Sequence, residues 1–244
     1  MHYRNLRSNK SVLLYLIIGK TTKQKMKNFL KKEIAFERIL FFSDAIVAIA
    51  ITLLALNLRL EKVAHEHLLF SDLIAPWKNY VAFILSFINI ASFWRIHHDL
   101  FIHINKINEK LFLLNIIWLF LIIVLPFSTT LVSSYFGDSP AILLYTLNIF
   151  LISFVQNTIW QYASQKDDFV NTETLPEQFR KRYQIMFNLD MLNGLIAVVL
   201  SFFNPILAFI LLYTKVPFFV AGTIYMLNKK RKRSNIKNNF KKEA

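Results

Sequence analysis

Ser43 and Asp44 place a hydroxyl and a carboxylate side by side near the start of an apolar run, "FERILFFSDAIVAIAITLLALNLRL", with Arg38 shortly before them. A second polar group stands at "SFWRIHHDLF", which carries Trp94, Arg95, His97, His98 and Asp99. Three chemistries fit such residue types: ion or proton handling by a buried acid, metal ligation by the histidines, and an interhelical polar clasp. A carboxylate at this depth is costly unless paired or wetted, and it marks a functional or organising site by default. Indole and imidazole N–H groups are the donors such a carboxylate or serine needs, so a clasp among Arg38, Ser43, Asp44, Trp94 and His97 or His98 is expected. Metal ligation is not. Adjacent His97 and His98 point about 100° apart on a helix, and no Glu-x-x-His or His-x-x-x-His spacing is present. His65 and His67 read as solvated loop residues, with weak ion binding as the alternative. With no cysteine, thiol chemistry and disulfides are excluded.

The elements that must position these groups are membrane helices. The 244 residues are 55% hydrophobic and only 18% charged, too apolar for a soluble domain of this length. The apolar residues come in blocks near the length of about 20 that spans the hydrocarbon core. In lipid such blocks must be helical, because no water satisfies open backbone groups. Six spans are expected, roughly 39–60, 78–101, 111–134, 140–162, 183–203 and 205–227, joined by short connections.

The basic residues set the orientation. Ten lie in residues 1–38, Lys106 and Lys110 follow span two, Lys166, Arg180, Lys181 and Arg182 precede span five, and eight lie in the tail. The opposite side has Arg59, Lys62 and Lys78, and none at "SYFGDSP" or "FFNP". By the positive-inside rule both termini are cytoplasmic. The net charge of +14 is then explained by topology and contact with anionic lipid rather than by nucleic acid. Residues 1–33 form a basic extension whose core, "SVLLYLIIG", is too short to span. Either translation starts near Met26 or the extension is genuine. Residues 34–227 form the membrane domain and 228–244 a basic tail.

On the first span, steps of 100° per residue put Ala45, Ile49, Thr52 and Leu56 along one line, while Leu54 points away. This stripe is either ordinary bundle packing or, repeated around an axis, a pore whose aliphatic rings gate by excluding water. No glycine loop for phosphate, Ser-His-Asp pattern or "TVGYG" filter is present.

Arg38 with Phe42-Ser43-Asp44 forms R-x-x-x-F-S-D, followed by "AIVAIAITLLALNL". This resembles the first-helix signature of the transmembrane protein 175 family, potassium channels of endolysosomes and bacteria. "FWRIHHDLF" is similar to the family's Trp-x-x-His-His segment, "LPFSTTLV" to its Leu-Pro-Phe-x-Thr segment, and "LLYTLNIFLISF" to its fourth helix, so the likeness runs from about residue 34 to 227. It implies an all-α, six-helix channel of the single-repeat bacterial form, a homotetramer in the cell membrane. The first helix would line the pore with Ala45, Ile49, Thr52 and Leu56. Arg38, Phe42, Ser43, Asp44, Trp94, His97 and His98 would form its structural polar network. Potassium is then the permeant cargo, with no resident cofactor or metal and no enzymatic activity. Ala45 stands where many members have glycine, and Lys215, just before Pro217, stands where the family is apolar.

Two other functions remain to be weighed. A proton-coupled secondary transporter usually shows broken helices or inverted repeats, and none is evident here. A membrane enzyme built on His97, His98 and Asp99 lacks a second ligand cluster.

Overall fold

The computed structural model describes residues 34, 36–58, 67–165, 169–170 and 177–214. Its regular elements are helical. Among the described residues five segments are long and apolar enough to cross a membrane: Phe36–Asn57, Phe70–Ile102, Glu109–Ser134, Ser139–Ser164 and Glu177–Phe203. They match the first five expected spans. The first is α1, whose last turn, Ala55–Asn57, tightens to a 3-10 helix. The second consists of α2 (Phe70–Ile74) and α3 (Trp77–Ile102), separated at Ala75-Pro76. Then come α4 (Glu109–Ser134), α5 (Ser139–Ser164), α6 (Glu177–Phe203) and α7 (Pro205–Tyr213). The expected sixth span begins with α7; residues 215–227, Lys215 included, lie outside the described residues, as do 1–33 and 228–244.

Local chemistry explains where the helices start. Asn108 caps α4 by accepting from the Leu111 N–H at 3.0 Å, and Asn204 caps α7 by accepting from the Leu207 N–H at 3.0 Å. Side-chain oxygens there satisfy donors that have no intrahelical partner. Pro205 opens α7 at a position where its missing N–H costs nothing. Between α4 and α5 the chain turns through Gly137 at φ 95°, a left-handed conformation that glycine adopts without steric cost.

Contacts divide the chain into two units, Met1–Asp44 and Ala45–Ala244. In the second unit α5 is the central helix, packing against α3, α4, α6 and α7. Where α5 meets α6, a Cβ at Gly194 would lie 3.0 Å from the Phe150 Cα, so any side chain there would push the two backbones apart by a few tenths of an ångström. The Ser153 hydroxyl hydrogen-bonds the Asp190 carboxylate a turn away. At the ends of α3 and α5 an isolated antiparallel bridge joins Ile104 to Val170.

Candidate pore face and polar network

Helix α1 presents two unlike faces. Val47, Ala50 and Leu54 are buried, Leu54 completely. Ala45, Ile49, Thr52 and Leu56 are all exposed, Ile49 at 59% and Leu56 at 56%. The stripe singled out by periodicity is therefore the face opposite the packed one in this single chain. The Thr52 hydroxyl donates to the Ile49 carbonyl at 2.8 Å. With its proton committed to the backbone, the oxygen offers lone pairs outward, which suits a cation better than an anion. At the far end of α1, Asn57 Oδ1 accepts from the Thr130 hydroxyl of α4 at 2.8 Å.

The expected polar network divides between the two units. In the first, the Ser43 hydroxyl donates to the Ile39 carbonyl at 2.9 Å. Ser43 is buried, Asp44 partly buried, and Arg38 and Phe42 are exposed. In the second, His97 is buried and its Nε2 lies 2.8 Å from Asn115 Oδ1 on α4. A carbonyl oxygen only accepts, so Nε2 carries the proton of this bond. The imidazole also stacks on Trp118 at a centroid distance of 4.1 Å and 18°. Trp94 and His98, one turn apart, stack with each other at 5.6 Å.

Three groupings escaped the sequence reading. Asn115 and Trp118 hold His97. At the centre of the bundle, Tyr145 of α5 takes Ser86 at 3.0 Å and Asn89 at 3.2 Å, and Thr129 of α4 reaches Ser86 at 2.7 Å. Between α5 and α6, Asn157 donates to Asn188 at 3.0 Å and accepts from Gln184 at 2.7 Å. The available signal was a polar residue inside an apolar span; which two pair is decided by helix rotation and register.

The family model described as endosomal/lysosomal potassium channel TMEM175 matches residues 38–126, from Arg38 into α4. A potassium channel of Chamaesiphon minutus is 31% identical over 180 residues, 68% of this chain and 89% of that protein. The endosomal/lysosomal proton channel TMEM175 of Gallus gallus is 32% identical over 148 residues, 55% of this chain but 29% of that longer one. The crystal structure of a lysosomal potassium-selective channel TMEM175 homolog from Chamaesiphon minutus superposes with a TM-score of 0.67 at 27% identity, over 77% of this chain and 97% of the other. The order of the motifs, the helical architecture and these likenesses agree: this chain belongs to the TMEM175 family.

Proposed function

We propose that this protein is the subunit of a potassium-preferring cation channel in the cell membrane. Several copies, most simply four, bring their α1 helices around one axis. Ala45, Ile49, Thr52 and Leu56 line the path, and rings of Ile49 and Leu56 form a hydrophobic constriction. One observation carries this reading: the stripe is left exposed on a helix whose opposite face is packed. A single copy of it encloses nothing, so conduction requires assembly. The described potassium channel among its relatives supports the choice of ion. In this arrangement the chain crosses the membrane six times with both termini cytoplasmic. Arg38, Phe42, Ser43 and Asp44 anchor the pore helix together with Trp94, His97 and His98 rather than touching the ion.

The test is reconstitution into planar bilayers under opposed potassium and sodium gradients, with particle mass measured in mild detergent and in lipid. A tetramer whose current reverses toward the potassium equilibrium potential is expected. A strictly monomeric particle, or current that ignores the potassium gradient, would sink the proposal. The Gallus gallus relative's description as a proton channel favours proton flux as the second reading. Dye-reported acidification of liposomes without potassium current would select it.

A further inference from the structure

A groove of about 870 Å³ opens between α5 and α6 at the end where α5 stops and α6 begins. Its lining changes in character along its length. Along α6 the lining runs from Arg180 and Lys181, through Gln184 and Asn188, to Met191, and α5 contributes Asn157 and Phe154. The Arg180 Nη1 donates to the last-turn carbonyl of Ser164 at 3.3 Å, which ties its guanidinium to the groove's rim. Lys181 pairs with Glu177 at 2.8 Å, but both side chains are largely exposed, at 74% and 70%. An ion pair so exposed holds its partners weakly.

The membrane level of each layer can be read from α6 itself. Its apolar stretch, from Ile185 to Phe203, matches the roughly 20 residues that cross the hydrocarbon, so Ile185 marks the edge. At 1.5 Å per residue, Arg180 and Lys181 lie about 7 Å outside that edge and Asn188 about 5 Å inside it. Asn188 is nonetheless exposed, among the exposed side chains of Ile185, Met186, Leu189 and Leu192. Its Oδ1 already accepts from Asn157 and Gln184, so it is the Nδ2 that needs an acceptor, which acyl chains do not supply.

We propose that this groove binds one phospholipid with an anionic headgroup. Its phosphate meets Arg180 and Lys181, an ester carbonyl accepts from the Asn188 Nδ2, and an acyl chain lies along Phe154 and Met191. Cation, amide and apolar wall follow one another in the order of the chemical layers of such a lipid. Basic pockets between membrane helices recognise acidic headgroups in the same way. The site is separate from the α1 stripe and does not depend on which ion is conducted.

Native mass spectrometry of the full-length protein, released from detergent containing equal phosphatidylglycerol and phosphatidylcholine, tests it. Phosphatidylglycerol should be retained selectively, near one molecule per chain. The double variant R180Q/K181Q should lower that retention on the order of tenfold or more, since each cation at an anionic surface contributes separately. K181Q alone, at an exposed position, should give a smaller loss, and N188W should block the groove without altering charge; elution volume checks the fold of each. K110Q removes a cation outside the groove and should retain the lipid. An equal loss in K110Q would mean diffuse attraction and overturn the site. Displacement of the lipid by glycerol 3-phosphate, itself retained, would make the ligand a soluble phosphate ester and overturn the lipid assignment. Unchanged retention in R180Q/K181Q with a smaller particle mass would make the groove a contact between copies, and would overturn it as well.

Discussion

The Nε2 of His97 donates to Oδ1 of Asn115 at 2.8 Å, linking α3 to α4 from residues 18 apart in sequence. Both side chains are buried, and Trp118 covers one face of the imidazole. His97 therefore acts as a joint between helices, while its neighbour His98 stands exposed beside Trp94.

Asn115→Leu should lower the stability of the folded protein by about 1–3 kcal/mol, because it leaves the buried His97 N–H without an acceptor. His98→Ala loses only a surface stacking contact and should cost well under half as much. Thermal unfolding followed by size-exclusion chromatography compares the two. Equal melting temperatures for Asn115→Leu and the parent protein would show that the bond contributes nothing.

Ile49→Asn and Leu56→Asn should raise conductance and reduce preference for potassium over sodium, because a polar ring would wet the proposed constriction, which would close by excluding water. Leu54→Asn is the control. Leu54 is fully buried on the opposite face, so a polar side chain there should damage packing without opening a path. Single-channel currents decide between them. Currents altered by Leu54→Asn and untouched by the other two would assign the pore to the wrong side of α1.

Thr52 should matter through its oxygen. Thr52→Val keeps the β-branched shape while removing the outward lone pairs, and should lower conductance. Thr52→Ser keeps the hydroxyl and should conduct nearly as the parent does. If the valine and serine variants carry equal currents, Thr52 is no polar stop for the ion.

Gly194→Ala should destabilise the protein by about 1–3 kcal/mol, the usual cost of forcing atoms into a packed site. The new Cβ would meet the Phe150 backbone at 3.0 Å. Truncating the Phe150 ring should therefore fail to rescue it. Rescue in the Gly194→Ala/Phe150→Ala double variant, read as recovered melting temperature, would show that the ring and not the backbone sets the approach.

In the proposed arrangement Asp44 and Arg38 anchor the pore helix, so Asp44→Ala and Arg38→Ala should reduce the yield of assembled protein. A well-assembled Asp44→Ala channel with normal yield and altered ion preference would instead put the carboxylate in the ion path.

Much of this molecule is legible in its residues alone. Blocks such as "LFLLNIIWLFLIIVLPF" must be helices because lipid offers no partner to an open backbone, and the structure has α4 there. The 3.6-residue period groups Ala45, Ile49, Thr52 and Leu56 on one face of α1 and sets Leu54 opposite. It does not say which face is packed. Both faces are apolar, and in a membrane the hydrophobic effect does not separate protein interior from lipid contact. Only tertiary structure decided that Val47, Ala50 and Leu54 are covered and the stripe is bare. The same limit applies to the polar pairs. His97, Asn115, Ser153, Asp190, Asn157 and Asn188 are each conspicuous in an apolar span. A hydrogen bond, though, requires two side chains within about 3 Å, and that depends on the rotation and register of two helices, which neighbouring packing sets. The close approach at Gly194 shows how: it is the missing side chain that lets α6 reach Phe150, and with it brings Asp190 to Ser153.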